Sequence, residues 1–231
     1  MVFLMLITGL AALAASSPAA NEPNSSPVVL LDGLGREVSL EAVPQRIVSM
    51  APSNTEILFA VGAGAQVVGR DEFTNYPEEA AALASVGGSM GEYNYEQIVS
   101  LEPDLVLAAE INTPEQVKAL EDLGLTVYYL SNPTDIEGVY EVLNTVGQLT
   151  GHEAEASTLV DSLKERVTAV ESKVAAGSTR PRVFYELDGS DPAKPWTSGA
   201  GTFIDLLITM AGGVNVAADL EGGWGQISQE A

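Results

Sequence analysis

Apolar residues in the first half of the chain come in short blocks of strand length, most of them followed by a helical period. Val28–Leu31 and Glu37–Leu40 flank Asp32-Gly33-Leu34-Gly35, which predicts a hairpin with glycine in the turn. Residues 47–50 form a short buried strand. Pro52-Ser53-Asn54-Thr55 then opens a helix, with Ser53 or Asn54 expected at the N-cap and Gly62 and Gly64 at the end. Further apolar or β-branched runs cover residues 67–69, 105–108 and 125–130, with helical patterns over 95–101 and 114–123 between them. Strands alternating with helices predict an α/β fold with a mostly parallel sheet, whose loops gather at one edge. Such edges hold ligands.

The pattern changes after residue 152. Leu159, Leu163, Val167, Val170 and Val174 recur at spacings of four, four, three and four. Glu155, Asp161, Lys164, Glu165, Arg166 and Glu171 fill the positions between. This is one long amphipathic helix over 153–175 with a single apolar stripe. Gly177 stops it, and 178–181 form a break. A second α/β start follows: a strand over 182–187, a loop rich in Gly and Pro, and a helix over 202–211 closed by Gly212-Gly213. Another helix is expected to begin after Ser228. About 50 residues are too few to bury a sheet on both faces, so the second lobe is expected to be incomplete.

Composition narrows the function. The chain has 231 residues, enough for one large domain or two small lobes. It has 32 acidic and 10 basic residues and a formal charge of −22. That surface disfavours nucleic acid and anionic membrane as partners. There is no cysteine and one histidine, His152, so a Ser-His-Asp triad or a transition-metal site built from this chain alone is not expected. Gly62-Ala63-Gly64 lies between a helix and a strand, the wrong order for a dinucleotide fingerprint. Adjacent carboxylates such as Asp71-Glu72 are expected by chance at this density of acid.

Residues 2–15 are apolar and end in small side chains, with Ala12-Leu13-Ala14 as an A-x-A cleavage site, so 1–27 are expected to be a signal peptide and a disordered tether. No Lys or Arg precedes Arg36, so a basic leader segment would lie upstream of Met1. Leu13-Ala14-Ala15-Ser16 is similar to a lipoprotein signal with serine in place of the lipidated cysteine. The few aromatic residues fall largely in predicted loops: Phe73, Tyr76, Tyr93, Trp196 and Trp224. Flat aromatic walls suit large, rigid, partly apolar ligands.

The hairpin, the segment Ala51-Pro52-Ser53-Asn54-Thr55-Glu56, the turn at Val86-Gly87-Gly88, the run LEPDLVLA over 101–108, the long helix and the run AGGVNVAAD over 211–219 occur together in one family. They resemble the class III substrate-binding proteins of ABC importers for vitamin B12 and ferric siderophores, and most closely the vitamin B12-binding members. The resemblance implies two Rossmann-like lobes joined by a rigid helix, with lobes at 28–151 and 179–231 and a linker at 152–178. It implies a ligand held between the lobes, no catalysis, no cofactor, a monomeric protein and an exported location, periplasmic or at the cell surface. Phe73 falls where that family places a cleft tyrosine, Met90 at a cleft tryptophan, Trp196 at a cleft phenylalanine and Trp224 at a cleft tryptophan. Glu96 and Glu230 fall where one glutamate on each lobe docks onto arginines of the membrane permease.

No Lys or Arg lies between Arg70 and Lys118, the span of the N-terminal cleft loops. Catecholate siderophores and haem propionates need basic partners there, whereas a corrinoid or a neutral hydroxamate siderophore does not. The expected ligand is cobalamin or a related corrinoid, with a ferric siderophore or haem as the alternative. Two readings from other classes stand beside it. A carboxylate-based enzyme on the same two-lobed fold is disfavoured by the lone histidine and missing cysteines. A surface adhesion module would not need an aromatic cleft.

Overall fold

A computed structural model describes residues 27–88 and 91–228. The expectations for the leader, the tether, Met90, Glu230 and a helix after Ser228 therefore lie partly or wholly outside the described residues. Among the described residues no helix is long and apolar enough to cross a membrane.

The chain opens with the predicted hairpin, β1 (Val28–Leu31) paired antiparallel with β2 (Glu37–Leu40). Then come β3 (Ile47–Ser49), α1 (Pro52–Ala60), a 3-10 turn (Ala63–Gln66), β4 (Val67–Arg70), α2 (Glu78–Ala81) and β5 (Ala84–Ser85). After them follow α3 (Tyr95–Ser100), β6 (Leu105–Ala109), α4 (Pro114–Asp122), β7 (Val127–Leu130) and α5 (Ile136–Thr150). The five strands β5-β4-β3-β6-β7 form one all-parallel sheet in that order. β3, β6 and β7 are buried along their whole length, as strands covered on both faces must be.

Alternate residues feed two cores. Ile47, Leu105, Leu107, Tyr128 and Leu130 pack with Leu58 of α1 and with Tyr140, Leu143, Val146 and Leu149 of α5. Val48, Met50, Val106, Ala108, Val127 and Tyr129 pack on the other face with Ile98 of α3 and with Val117 and Leu120 of α4. Each fully buried Leu or Ile contributes roughly 1.5–3 kcal/mol by leaving water. The chain runs outward from β3 to β4 and β5, then returns to β6 on the other side. The connections after β3 and β6 thus diverge, and a crevice opens between them at the carboxyl ends of the strands.

The start of α1 differs from expectation. Its N-cap is Ala51, with no side-chain cap, and Pro52 supplies the first helical residue. Ser53 and Asn54 lie inside the helix. Asn54 Nδ2 donates to the Leu107 carbonyl at 3.0 Å and Thr55 Oγ1 to Ser49 Oγ at 2.8 Å. These polar side chains tie α1 to the sheet instead of capping it.

Helix α5 was not among the expected elements. Asp135 caps it by accepting from the Gly138 N–H. α6 (Glu153–Ala176) is the predicted long helix, roughly 36 Å at 1.5 Å per residue. It meets α5 closely: a Cβ on Gly147 would lie 2.6 Å from that of Ala156. Ala156 and Val160 are buried, but the apolar stripe then leaves the core, and Val170 is 48% exposed.

Beyond Gly177 the single strand expected over 182–187 is divided. β8 (Arg182–Val183) pairs parallel with β11 (Val214–Asn215), while β9 (Glu186–Asp188) joins β10 (Trp196–Ser198) and β12 (Trp224–Gln226) in an antiparallel sheet. The chain changes sheets at Phe184-Tyr185. α7 (Phe203–Met210), capped by Thr202 and followed by Gly212 at φ 82°, is the predicted helix. Neither core cluster extends past Leu163.

Candidate functional site

All five parallel strands point the same way, so the loops after β3, β4, β5 and β6 meet at one edge. Tyr93 stands at the crevice between β3 and β6. Its hydroxyl donates to the Met50 carbonyl at 2.9 Å and accepts from Asn112 Nδ2 at 2.8 Å. Asn112 is 1% exposed, and its Oδ1 accepts from the Ala109 N–H at 2.8 Å. One bridge therefore ties the ends of β3 and β6 to the loop after β5. Burial pushes the Tyr93 phenol above its ordinary pKa. The bond from Asn112 opposes that rise and the charge of Asp71 adds to it.

The loop after β4 carries the aromatic residues. Phe73 and Tyr76 are 59% and 65% exposed, although each is a large apolar ring. Beneath them Asp71 is buried and accepts from the Phe73 N–H at 2.8 Å and from the Thr74 hydroxyl. The Glu72 N–H donates to the Gly87 carbonyl at 2.8 Å, which stitches this loop to the next. Gly87 has φ +87°, and a Cβ there would lie 2.8 Å from the Glu92 carbonyl oxygen, so the Val86-Gly87-Gly88 turn requires glycine.

On the second half, the register Trp196↔Gln226 and Ser198↔Trp224 puts both tryptophans on one face, a diagonal step apart. They are 44% and 45% exposed. Trp224 also leans on Phe203, with ring centroids 6.1 Å apart and planes at 51°. Phe203 was not singled out in the sequence, because it sits at the start of a helix with an apolar face. It lines a cavity of about 340 Å³ with Leu206 and Leu207 of α7, the Asn132-Pro133 turn after β7, and Ile136 and Val139 of α5. That cavity lies where the edge of the parallel sheet approaches the tryptophan face.

Trp196 and Trp224 thus share one face of the antiparallel sheet, while the ring contact among the described residues is that of Trp224 with Phe203. Phe73 stands exposed on the loop after β4, and among the described residues its ring has no ring partner. Met90 is outside the described residues. Glu96 is exposed in the first turn of α3, which Asn94 caps by accepting from the Gln97 N–H at 2.9 Å. Its counterpart Glu230 is outside the described residues. His152 occupies the N-cap position of α6 without a side-chain cap and lies 3.8 Å from Glu155. No group of three or more acidic or histidine side chains suited to a metal occurs among the described residues.

The chain is 36% identical over 228 residues to a cobalamin-binding protein of Halobacterium salinarum, covering 95% of this chain and 60% of that protein. It is 33% identical over 208 residues to an ABC transporter substrate-binding lipoprotein of Bacillus subtilis, covering 89% and 65%. The chain thus spans less than two thirds of the length of either relative. The crystal structure of the periplasmic vitamin B12 binding protein of Vibrio cholerae superposes with a TM-score of 0.68 at 29% identity, over 81% of this chain and 72% of that one. Residues 47–231 match the periplasmic binding protein family, and with these strand-end loops and this order of elements the chain belongs to that family.

Proposed function

We propose that this chain is the extracytoplasmic solute-binding component of an ABC importer. It holds cobalamin or a related corrinoid in a cleft between lobes at 28–151 and 179–231, joined by a linker over 152–178, and releases it unchanged to a permease. The observation that carries this reading is an aromatic edge without a free cation among the described residues. Phe73 and Tyr76 project from it, and Arg70, the basic residue closest to them in sequence, donates to the carbonyls of Asp71, Ala80 and Ala81. A corrinoid offers a broad, weakly charged face to such a wall. The names of the relatives from Halobacterium and Vibrio support the same ligand class. A ferric hydroxamate shares the neutrality and is the second reading.

Calorimetric titration of full-length protein with cyanocobalamin, a ferric hydroxamate and haemin separates these readings. One-to-one binding of cyanocobalamin is expected, and binding of the siderophore alone overturns the corrinoid assignment. Trp196→Ala and Trp224→Ala should each weaken binding by about 1–3 kcal/mol, the range for an aromatic wall in contact with its ligand.

Glu96 is proposed to dock the N-terminal lobe onto arginines of the permease, with Glu230 doing the same on the second lobe. A carboxylate in the first turn of a helix is also favoured by the helix dipole. A dipole role predicts a change in stability, whereas docking predicts a change in transport. Glu96→Ala and Glu230→Ala should slow transport and permease binding, more so together, while ligand affinity holds. Rim charges act chiefly on association and are screened by salt. Wild-type transport by the double variant, or an affinity that falls in step with transport, would end this assignment.

A further inference from the structure

Asp71 follows β4 directly and is 2% exposed. Both its oxygens take donors, one from the Phe73 N–H at 2.8 Å and the other from the Thr74 hydroxyl. Thr74 is itself 3% exposed and lies 3.3 Å from Thr55 Oγ1, which reaches back to Ser49 on β3. This acceptor-only pattern suits a carboxylate rather than a carboxylic acid. Yet among the described residues no basic side chain forms an ion pair with it. The guanidinium of Arg70, adjacent in sequence, turns instead to three carbonyls, of which those of Ala80 and Ala81 belong to α2. Burying a carboxylate without a cation is costly. A side chain that only shaped the loop could as well be Asn or Ser, since either can accept from a backbone N–H two residues on.

The charge also reaches the next loop. A Cβ on Gly88 would lie 3.5 Å from Asp71 Cβ and 3.3 Å from Tyr93 Cε1, so glycine lets the two loops close around the carboxylate. Glu72, Glu92 and Glu110 stand exposed on the same edge. The basic side chain closest in sequence to the tryptophan face is Lys194, two residues before Trp196.

We propose that Asp71 determines the charge selectivity of the cleft: it fixes Phe73 through its backbone N–H and holds a negative potential behind the N-terminal wall that rejects anionic ligands. This rests on the solute-binding reading above. It assigns the discrimination between a corrinoid and an anionic chelate to one buried side chain, and not merely to the absence of arginine from the loops.

Asp71→Asn tests it, because the amide keeps an acceptor for the Phe73 N–H and offers a donor to the Thr74 oxygen. Full-length wild type and variant are titrated with cyanocobalamin, which is neutral, and with haemin, which carries two propionates. In the variant the Kd for cyanocobalamin should stay within about twofold while that for haemin falls on the order of tenfold, since removing one like charge behind the wall relieves a repulsion that salt and solvent already partly screen. The gain should shrink between about 0.05 M and about 0.5 M NaCl. An equal response of both ligands, or none, overturns the proposal.

Should the variant fail to fold, wild type is titrated with aquacobalamin, which carries one positive charge. Tighter binding than cyanocobalamin at low salt, lost at high salt, is expected, and equal affinities at both salts overturn the proposal. Absence of cyanocobalamin binding by wild type refutes the solute-binding reading itself, and this inference with it. A failed selectivity test with intact cyanocobalamin binding refutes the inference alone.

Discussion

Asp32→Ala is expected to destabilise the chain by about 2–4 kcal/mol, read as a shift in the midpoint of urea or thermal unfolding. The Asp32 side chain is fully buried in the turn of the first hairpin. It accepts from the N–H groups of Leu34 and Arg36, each at 2.9 Å, and from Arg36 Nε at 3.0 Å, and it forms an ion pair with Arg36 Nη2. The Tyr129 N–H adds a longer bond at 3.3 Å. The same turn is tied to β7 by the Gly33 N–H to the Tyr129 carbonyl and by the Tyr128 hydroxyl to the Leu31 carbonyl, both at 2.8 Å. Removing the carboxylate leaves two N–H groups of the turn without their acceptor and frees the hairpin from the edge of the sheet. The cost falls short of that for a fully buried pair, because Arg36 is 27% exposed and keeps Glu121 at 2.5 Å.

Acid should have the same effect. Burial pushes the Asp32 carboxyl up, but the hydrogen bonds from Arg36 and Leu34 outweigh it, and the pKa lies below its ordinary 3.8. A carboxylate with a depressed folded-state pKa stabilises fully above its unfolded value and loses that contribution as pH falls through the folded one. The part of the acid transition below about pH 4 should therefore flatten in Asp32→Ala. An unchanged midpoint at neutral pH, or an unchanged acid limb, would show that the hairpin is held by β1–β2 pairing and its bonds to β7 without Asp32.

Much of the fold was legible because the first lobe follows simple periods. The hairpin lies where alternation and Gly33 and Gly35 put it, and β3, β4 and β6 agree with their apolar runs within a residue. α5 was missed although Ile136, Tyr140, Leu143, Val146 and Leu149 repeat at helical spacing. Gly138 and Gly147 weaken its propensity, and the reason for Gly147 is tertiary, since Ala156 of α6 leaves no room for a side chain. The division of the strand at Phe184-Tyr185 depends on which partners the two halves find, β11 and β10, and no local signal carries that. The same contrast holds at the site. Phe73, Trp196 and Trp224 could be singled out because large rings outside the apolar periods are conspicuous, although Trp196 and Trp224 open strands β10 and β12 and do not lie in loops as expected. Tyr93 and Asn112 could not be paired, since their contact depends on β5 and β6 ending at the same edge. Asp71 reads as one of 32 acidic residues until the fold shows that it is buried.

Those 32 acidic residues set the last expectation. Raising NaCl from about 0.02 M to about 0.5 M should lift the thermal midpoint by about 10 °C, because self-repulsion of a strongly charged surface opposes the compact state and salt screens it. The formal charge of −22 already counts the 10 basic residues, and few of them sit beside a carboxylate. Arg46 directs its guanidinium to the carbonyls of Leu101 and Glu102, and Arg70 does likewise with those of Asp71, Ala80 and Ala81. Among the described residues Lys and Arg pair only with Asp32, Glu121 and Asp122. The chosen range matters. The screening length drops from about 20 Å to about 4 Å across it, while strengthening of apolar burial by salt belongs to higher concentrations and to kosmotropic anions. NaCl and KCl should act alike. Charge reversal supplies the decisive control. Glu165→Lys and Glu171→Lys, on the exposed half of α6, should raise the midpoint at low salt and leave it nearly unchanged at high salt. A midpoint flat across the salt range, or reversed charges that stabilise equally at both ends of it, would mean that the acidic surface does not limit stability.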